Sequence, residues 1–234
     1  MTDYSSHHQA SIAEDTVAFL LSLRERGIRD IALLRAMEMV PRDLFAPRRF
    51  SDLARADISL PLSCGQTMTA PRIIANMLLA LKIKPEHKVF EVGSGSGYVS
   101  AVLGRMAGHV VSVERYRTLA LAASERIATI NLSNVVLLPA DGLAAQTVAD
   151  QRFDRILLNG TISGDVPAAL LDSLKPGGLL VGAKMIYGAS KLIRITRRED
   201  AENMESEDDS SEFTQEILGS VRLPPLAHGV AQVL

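Results

Sequence analysis

Hydrophobic positions recur along this chain with two periods, and the change between them divides it. From residue 11 to residue 39 apolar side chains fall at helical spacing. Val17, Leu20, Leu21 and Leu23 mark one amphipathic helix, which Gly27 stops. Ile31, Leu34, Met37 and Met39 mark a second, for which Asp30 supplies a capping oxygen. Pro41 and Pro47 bracket a short turn that cannot be a long helix. Another helix opens at Thr69 or at the Ala70-Pro71 pair and runs to about Leu81, since proline suits a first turn. From Lys88 onward the period becomes that of buried strands, expected at 88–92, 109–113, 134–138, 153–158 and 178–183. Helices lie between them, the clearest at 119–131 and 167–174. Strands alternating with helices predict an α/β, Rossmann-like fold with a mostly parallel sheet and helices on both faces. Two further strands, 192–196 and 217–223, flank an acidic and Ser/Asn-rich loop at 200–212, read as a mobile solvated excursion.

Composition narrows the classes. With 234 residues and 47% hydrophobic content the chain can bury the core of one large domain, or of one domain with an N-terminal helical piece. A net charge of −2 gives no general affinity for nucleic acid or for an acidic membrane. No apolar run approaches the roughly 18–20 residues of a membrane span, and residues 1–15 lack the order of a signal peptide. The single cysteine, Cys64, forms no internal disulfide, reads as a small packing residue and suits a cytoplasmic location.

Residues 89–99, Val-Phe-Glu-Val-Gly-Ser-Gly-Ser-Gly-Tyr-Val, carry the chemistry. A buried strand ends in an acid, passes through alternating glycines and restarts as a helix whose N-terminus faces the turn. A dinucleotide site wants G-x-G-x-x-G, so that a pyrophosphate can rest on the helix amides. Here glycine comes at every second position after Glu91, at Gly93, Gly95 and Gly97, with Ser94, Ser96 and bulky Tyr98 between and after them. That form suits a nucleoside without a pyrophosphate, of which S-adenosyl-L-methionine (AdoMet) is the usual one. Its companions follow. Glu114 ends the next strand, where its two oxygens match a ribose diol, and Arg115 adjoins it. Asp141-Gly142 ends the third strand, placed to accept from an adenine amino group and to leave room for the ring. Asn159-Gly160-Thr161 ends the fourth. The implied fold is that of a class I AdoMet-dependent methyltransferase.

Other parts of the chain resemble the protein-L-isoaspartate (D-aspartate) O-methyltransferase family, over about residues 17–226. Gly27-Ile-Arg-Asp30 with Ala36-Met-Glu-Met-Val-Pro-Arg-Asp-Leu-Phe45 is similar to its N-terminal signature. Leu60-Pro-Leu-Ser-Cys-Gly-Gln-Thr-Met-Thr-Ala-Pro71 resembles its substrate-loop motif, and Val221-Arg-Leu-Pro-Pro-Leu226 its closing strand. Ser112-Val-Glu-Arg115 and Ala140-Asp-Gly142 resemble its cofactor positions. The resemblance implies carboxyl O-methylation of isoaspartyl residues in damaged proteins, a repair reaction. AdoMet is the methyl donor, S-adenosyl-L-homocysteine the product, and no metal is involved. It assigns residues 1–70 to a helical segment with the substrate loop, and 71–234 to the AdoMet-binding core.

Three positions depart from the family pattern. Thr69 stands where the family has serine, Asn159-Gly-Thr-Ile162 replaces a Thr-Ala-Ala-like run, and Gly182-Ala-Lys-Met185 replaces a Pro-Val-Gly-like turn. The residues therefore leave two other readings open: a methyltransferase of this fold with a different acceptor, and a non-catalytic AdoMet-binding module. A carboxylate acceptor with an ordinary pKa of about 4 is already ionised at neutral pH and needs no general base. None of His7, His8, His87, His109 and His228 sits at a predicted strand end beside the cofactor; His109 opens a strand, His87 lies in a loop before one, and both read as surface residues. Thr69, taken as the catalytic residue, would hold the acceptor carboxylate together with Gln66. Thr67, Gly160 and Thr161 complete the expected substrate side.

Overall fold

The structure is a computed structural model that describes residues 3–199 and 212–231. Its first helix, α1 (Asp3–Glu25), buries Phe19 and Leu23, while Val17 and Leu21 remain 57% and 53% exposed. The apolar stripe is narrower than the periodicity suggests, because only one edge of α1 meets α2 (Ile31–Met39). Asp30 caps α2 as expected, its Oδ1 accepting from the Leu33 N–H at 2.8 Å. Leu33, Leu34, Ala36 and Met37 are its buried face, and Ile31 and Met39 lie exposed at its ends. The proline-bracketed turn holds a single helical turn, α3 (Arg42–Phe45). A two-stranded ribbon, β1 (Leu60–Pro61) with β2 (Thr67–Met68), then leads into α4 (Pro71–Leu81). Ala70, not Thr69, is the N-cap residue of α4, with Pro71 in its first turn.

The main sheet consists of β3 (Lys88–Val92), β4 (His109–Glu114), β5 (Val135–Pro139), β6 (Phe153–Ile162), β7 (Leu174–Ile186), β8 (Ala189–Arg197) and β9 (Phe213–Ser220). Their order is β5-β4-β3-β6-β7-β8-β9, parallel through β7 and antiparallel from β7 to β9. Helices α5 (Tyr98–Met106), α6 (Arg117–Thr129), α7 (Ala145–Val148) and α8 (Ala168–Asp172) connect the parallel strands. Side chains alternate between two cores, as the period of a strand requires. Val89, Val110, Leu157 and Val181 join α1, α2, α4 and α5 on one side. Phe90, Val111, Ile156, Leu158 and Leu180 join Leu143, Val148 and Leu170 on the other.

Several expected boundaries move. Strand β6 continues to Ile162, so Asn159, Gly160 and Thr161 belong to the strand rather than to a loop beyond it. Strand β7 starts at Leu174, where a helix end and turn were expected, and runs on through the 182–185 departure. Tyr187 and Gly188, with φ of 49° and 75°, turn β7 directly into β8, a two-residue hairpin hidden by the lack of an Asn-Gly pair. The last strand lies at 213–220 rather than 217–223. Residues 200–211 of the expected acidic loop lie outside the described residues, and Glu212 pairs with Arg197 at 2.6 Å. His87 is buried, not superficial: its Nδ1 accepts the Lys84 N–H at 3.0 Å, and burial, reinforced by Arg155, lowers its pKa.

Candidate active site

The carboxyl ends of β3, β4, β5 and β6 open onto one cleft, as expected for a parallel sheet with crossover helices. Gly93, Gly95 and Gly97 all have positive φ, at 85°, 54° and 87°, a backbone that side chains disfavour. The turn is tied down at both ends. The Gly93 and Ser94 N–H groups donate to the Val113 carbonyl at 2.8 and 3.2 Å. At Gly97 a Cβ would lie 2.9 Å from that of Ala123, so the missing side chain lets α5 pack against α6.

Glu114 sits beneath the turn with only 4% of its surface exposed. Its Oε2 accepts the Gly95 N–H at 2.9 Å and its Oε1 the Tyr116 N–H at 3.0 Å. A carboxylate has about four acceptor sites, so capacity for a diol remains. The cleft beside it has about 580 Å³ of empty volume. Val92, Val113 and Leu143 form apolar walls, with Gln66, Thr67, Gly93, Gly95, Arg115, Gly142 and Asn159 around them. Gly142 cannot carry a side chain, because a Cβ would come within 2.5 Å of Val92 Cγ1.

A second, smaller pocket lies against the glycine turn and holds Thr67, Met68, Thr69, Ser94, Ser96 and Tyr98 on its wall. Thr67, Gly93, Gly95 and Asn159 line both spaces. The Ser94 and Tyr98 hydroxyls are buried there without a hydrogen-bond partner.

Five expected site residues line neither space. Glu91 is fully buried and accepts from Ser100 Oγ at 2.5 Å, Ser112 Oγ at 2.6 Å and Asn159 Nδ2 at 2.5 Å. Burial raises its pKa and these three donors oppose the rise. Because Asn159 Nδ2 also reaches the Gly93 carbonyl at 3.2 Å, Glu91 braces the glycine turn from behind. Gly97 acts through packing. Asp141 adjoins the cleft between Ala140 and Gly142 without lining it: its Oδ1 accepts the Leu143 N–H at 2.9 Å and its Oδ2 the Gly229 N–H at 2.7 Å, which leaves acceptor capacity as at Glu114. The Thr161 hydroxyl is taken up by Ser190 Oγ and the Leu223 carbonyl, both at 3.0 Å. Gly160 makes room for Leu226, whose Cγ would stand 2.7 Å from an added Cβ. Gln66 faces the first cleft rather than the second, and its amide donates to the Cys64 carbonyl at 3.1 Å. Cys64 is partly exposed beside Thr118, not a core packing residue.

The wall formed by residues 224–227 was not foreseen as part of a site. The tail is an extended segment with a single bridge to Thr161, not a closing strand. It is held by the Thr161 N–H to the Pro224 carbonyl at 2.8 Å and the Leu226 N–H to the Thr161 carbonyl at 2.9 Å. Arg115 then clasps it, donating from Nε to the Gly229 carbonyl at 3.0 Å. Nothing in Pro-Pro-Leu-Ala marks it as a site locally; only the Pro pair signals an extended chain.

Residues 14–215 match the family model of protein-L-isoaspartate (D-aspartate) O-methyltransferase. The protein-L-isoaspartate O-methyltransferase of Azorhizobium caulinodans is 42% identical over 222 residues, covering 94% of this chain and 96% of that protein. That of Xanthobacter autotrophicus is 42% identical over 220 residues, covering 94% and 95%. Among solved structures, a Plasmodium falciparum beta-aspartate methyltransferase in complex with S-adenosyl-L-homocysteine superimposes with a TM-score of 0.73 at 21% identity, covering 90% of this chain and 97% of that one.

Proposed function

The chain belongs to the protein-L-isoaspartate (D-aspartate) O-methyltransferase family, and on that footing we propose that it methylates the free carboxylate of isoaspartyl residues in damaged proteins. The observation that carries the reading is that two neighbouring spaces share Thr67, Gly93, Gly95 and Asn159 as lining residues. One has the make-up of a nucleoside site and the other is lined by the substrate-loop motif. The family relatives and the S-adenosyl-L-homocysteine complex of the Plasmodium falciparum neighbour support AdoMet as donor.

The cleft residues fit that cofactor. Glu114 offers a carboxylate to vicinal hydroxyls, and Val92, Val113 and Leu143 offer apolar walls to a ring. When bound, AdoMet supplies an electrophilic methyl group on a sulfonium. The chain's own work is alignment and exclusion of water, because in-line displacement gains most from held geometry. Thr69, with Thr67 beside it, orients the acceptor carboxylate toward the junction at Asn159. No proton has to move, since the acceptor is ionised at neutral pH. Among the described residues, no histidine lines either space.

Labelled methyl transfer from AdoMet to an isoaspartyl peptide, beside the same peptide with normal aspartate, tests this directly. We expect label in the first and none in the second. Tight AdoMet binding with no label in either would refute isoaspartate as the acceptor.

A further inference from the structure

Arg42 lines neither space, yet it touches both segments that frame the second cavity. It is 2% exposed. Its guanidinium donates to the carbonyls of Ala54 and of Thr69, the latter at 2.9 Å, and more weakly to that of Ile58 at 3.5 Å. It also lies over the Tyr98 ring, 5.7 Å from the centroid. Its partners are therefore three carbonyls and an aromatic face, with Asp57 acting only at a distance. Burial lowers its pKa to about 10, which leaves it a cation at neutral pH.

A buried cation without a carboxylate partner is a poor way to stabilise a fold, since an apolar side chain of similar volume often packs as well. What a guanidinium adds is a rigid planar fork of donors. Here the fork joins residues 54–58, the backbone of Thr69 and the first residue of α5. Thr69 and Tyr98 both line the second cavity. We propose that Arg42 is a positioning residue for methyl transfer: it fixes Thr69 against the glycine-turn helix, so that the acceptor cavity is formed before substrate arrives. The proposal rests on the function proposed above.

Arg42→Lys keeps the charge and loses the fork; Arg42→Gln loses both. Each is assayed well below its own melting temperature, with saturating AdoMet. The dissociation constant for AdoMet should stay within about threefold of wild type. The kcat/KM for an isoaspartyl peptide should fall about 10-fold in Arg42→Lys and about 100-fold in Arg42→Gln, the scale of a misplaced reacting group. Amide hydrogen exchange should quicken over residues 62–70 and remain at wild-type rates in β3 and β4. Wild-type kcat/KM in the folded variants, or equal losses toward AdoMet and peptide, would overturn the proposal. If Arg42→Gln yields no folded protein, Arg42→Lys decides alone. A wild-type protein silent toward the peptide would sink the proposed function instead, and the exchange rates would still decide whether Arg42 holds the loop.

Discussion

The cofactor side of the cleft hangs on strand ends, whereas the acceptor side hangs on a ribbon of four paired residues, and their polar groups differ accordingly. Beneath the glycine turn the carboxylates are satisfied by fixed donors: Glu114 by the Gly95 and Tyr116 amides, Glu91 by Ser100, Ser112 and Asn159. Around the second cavity the ties are fewer: Gln66 donates to the Cys64 carbonyl, and Thr69 is held through its backbone carbonyl by Arg42. A satisfied network in a low-dielectric interior is rigid, and a loop held by single bonds is less so. The lesson is a division of labour. The parallel sheet ties the glycine turn down by several bonds, while on the reading proposed above the acceptor side depends on Arg42 for its order.

Glu91→Ala is the severest way to break this contrast. It strands three donors in a buried site, with an expected loss of about 3 kcal/mol or more of stability. The melting temperature should drop sharply and AdoMet binding with it, because Asn159 and Gly93 lose their brace; a wild-type melting curve would contradict the rigid-network account. Glu114→Ala should weaken AdoMet binding by about 1.5–3 kcal/mol in calorimetry and lower the melting temperature less than Glu91→Ala does, since the Gly95 and Tyr116 amides lose their acceptor. Retained wild-type affinity would remove Glu114 from the ribose role.

The acceptor side should respond in the opposite sense. Thr69→Val, nearly the same shape without the hydroxyl, should lose about 1–3 kcal/mol of transition-state stabilisation in kcat/KM and keep AdoMet affinity. Thr69→Ser should retain activity. If the valine variant is as active as wild type, the hydroxyl has no part in holding the acceptor. The smallest effect concerns pH. His87 is held neutral by burial, with its pKa below the unfolded value of about 6.5, so the folded state takes up a proton less readily than the unfolded chain. Its contribution is complete above that value and is lost as the pH falls below it. Urea unfolding between pH 7.5 and pH 5 should show a shallower fall in His87→Gln than in wild type, and identical slopes would assign the fall to other groups.

Much of this molecule was legible as sequence because the signals are local. Alternating apolar runs specify buried parallel strands, Asp30 is a cap wherever a helix follows it, and Gly93, Gly95 and Gly97 are demanded by positive φ within one short turn. The place of Glu114 at the mouth of the cleft follows from the same local rule, since the strand after a glycine turn ends beside it. Tertiary structure decided what depends on partners distant in the chain. Asp141 is joined to Gly229, far along the chain, by a bond that nothing local announces. Thr161 looked free until β6 ran on past the expected end and Ser190 and Leu223 closed on its hydroxyl. Arg42 stood in the sequence only as part of the N-terminal signature, and the convergence of Ala54, Thr69 and Tyr98 is what buries it. Backbone preference and side-chain periodicity act over a few residues and are written in the sequence. The satisfaction of a polar group is settled by whichever donor or acceptor folding brings to it.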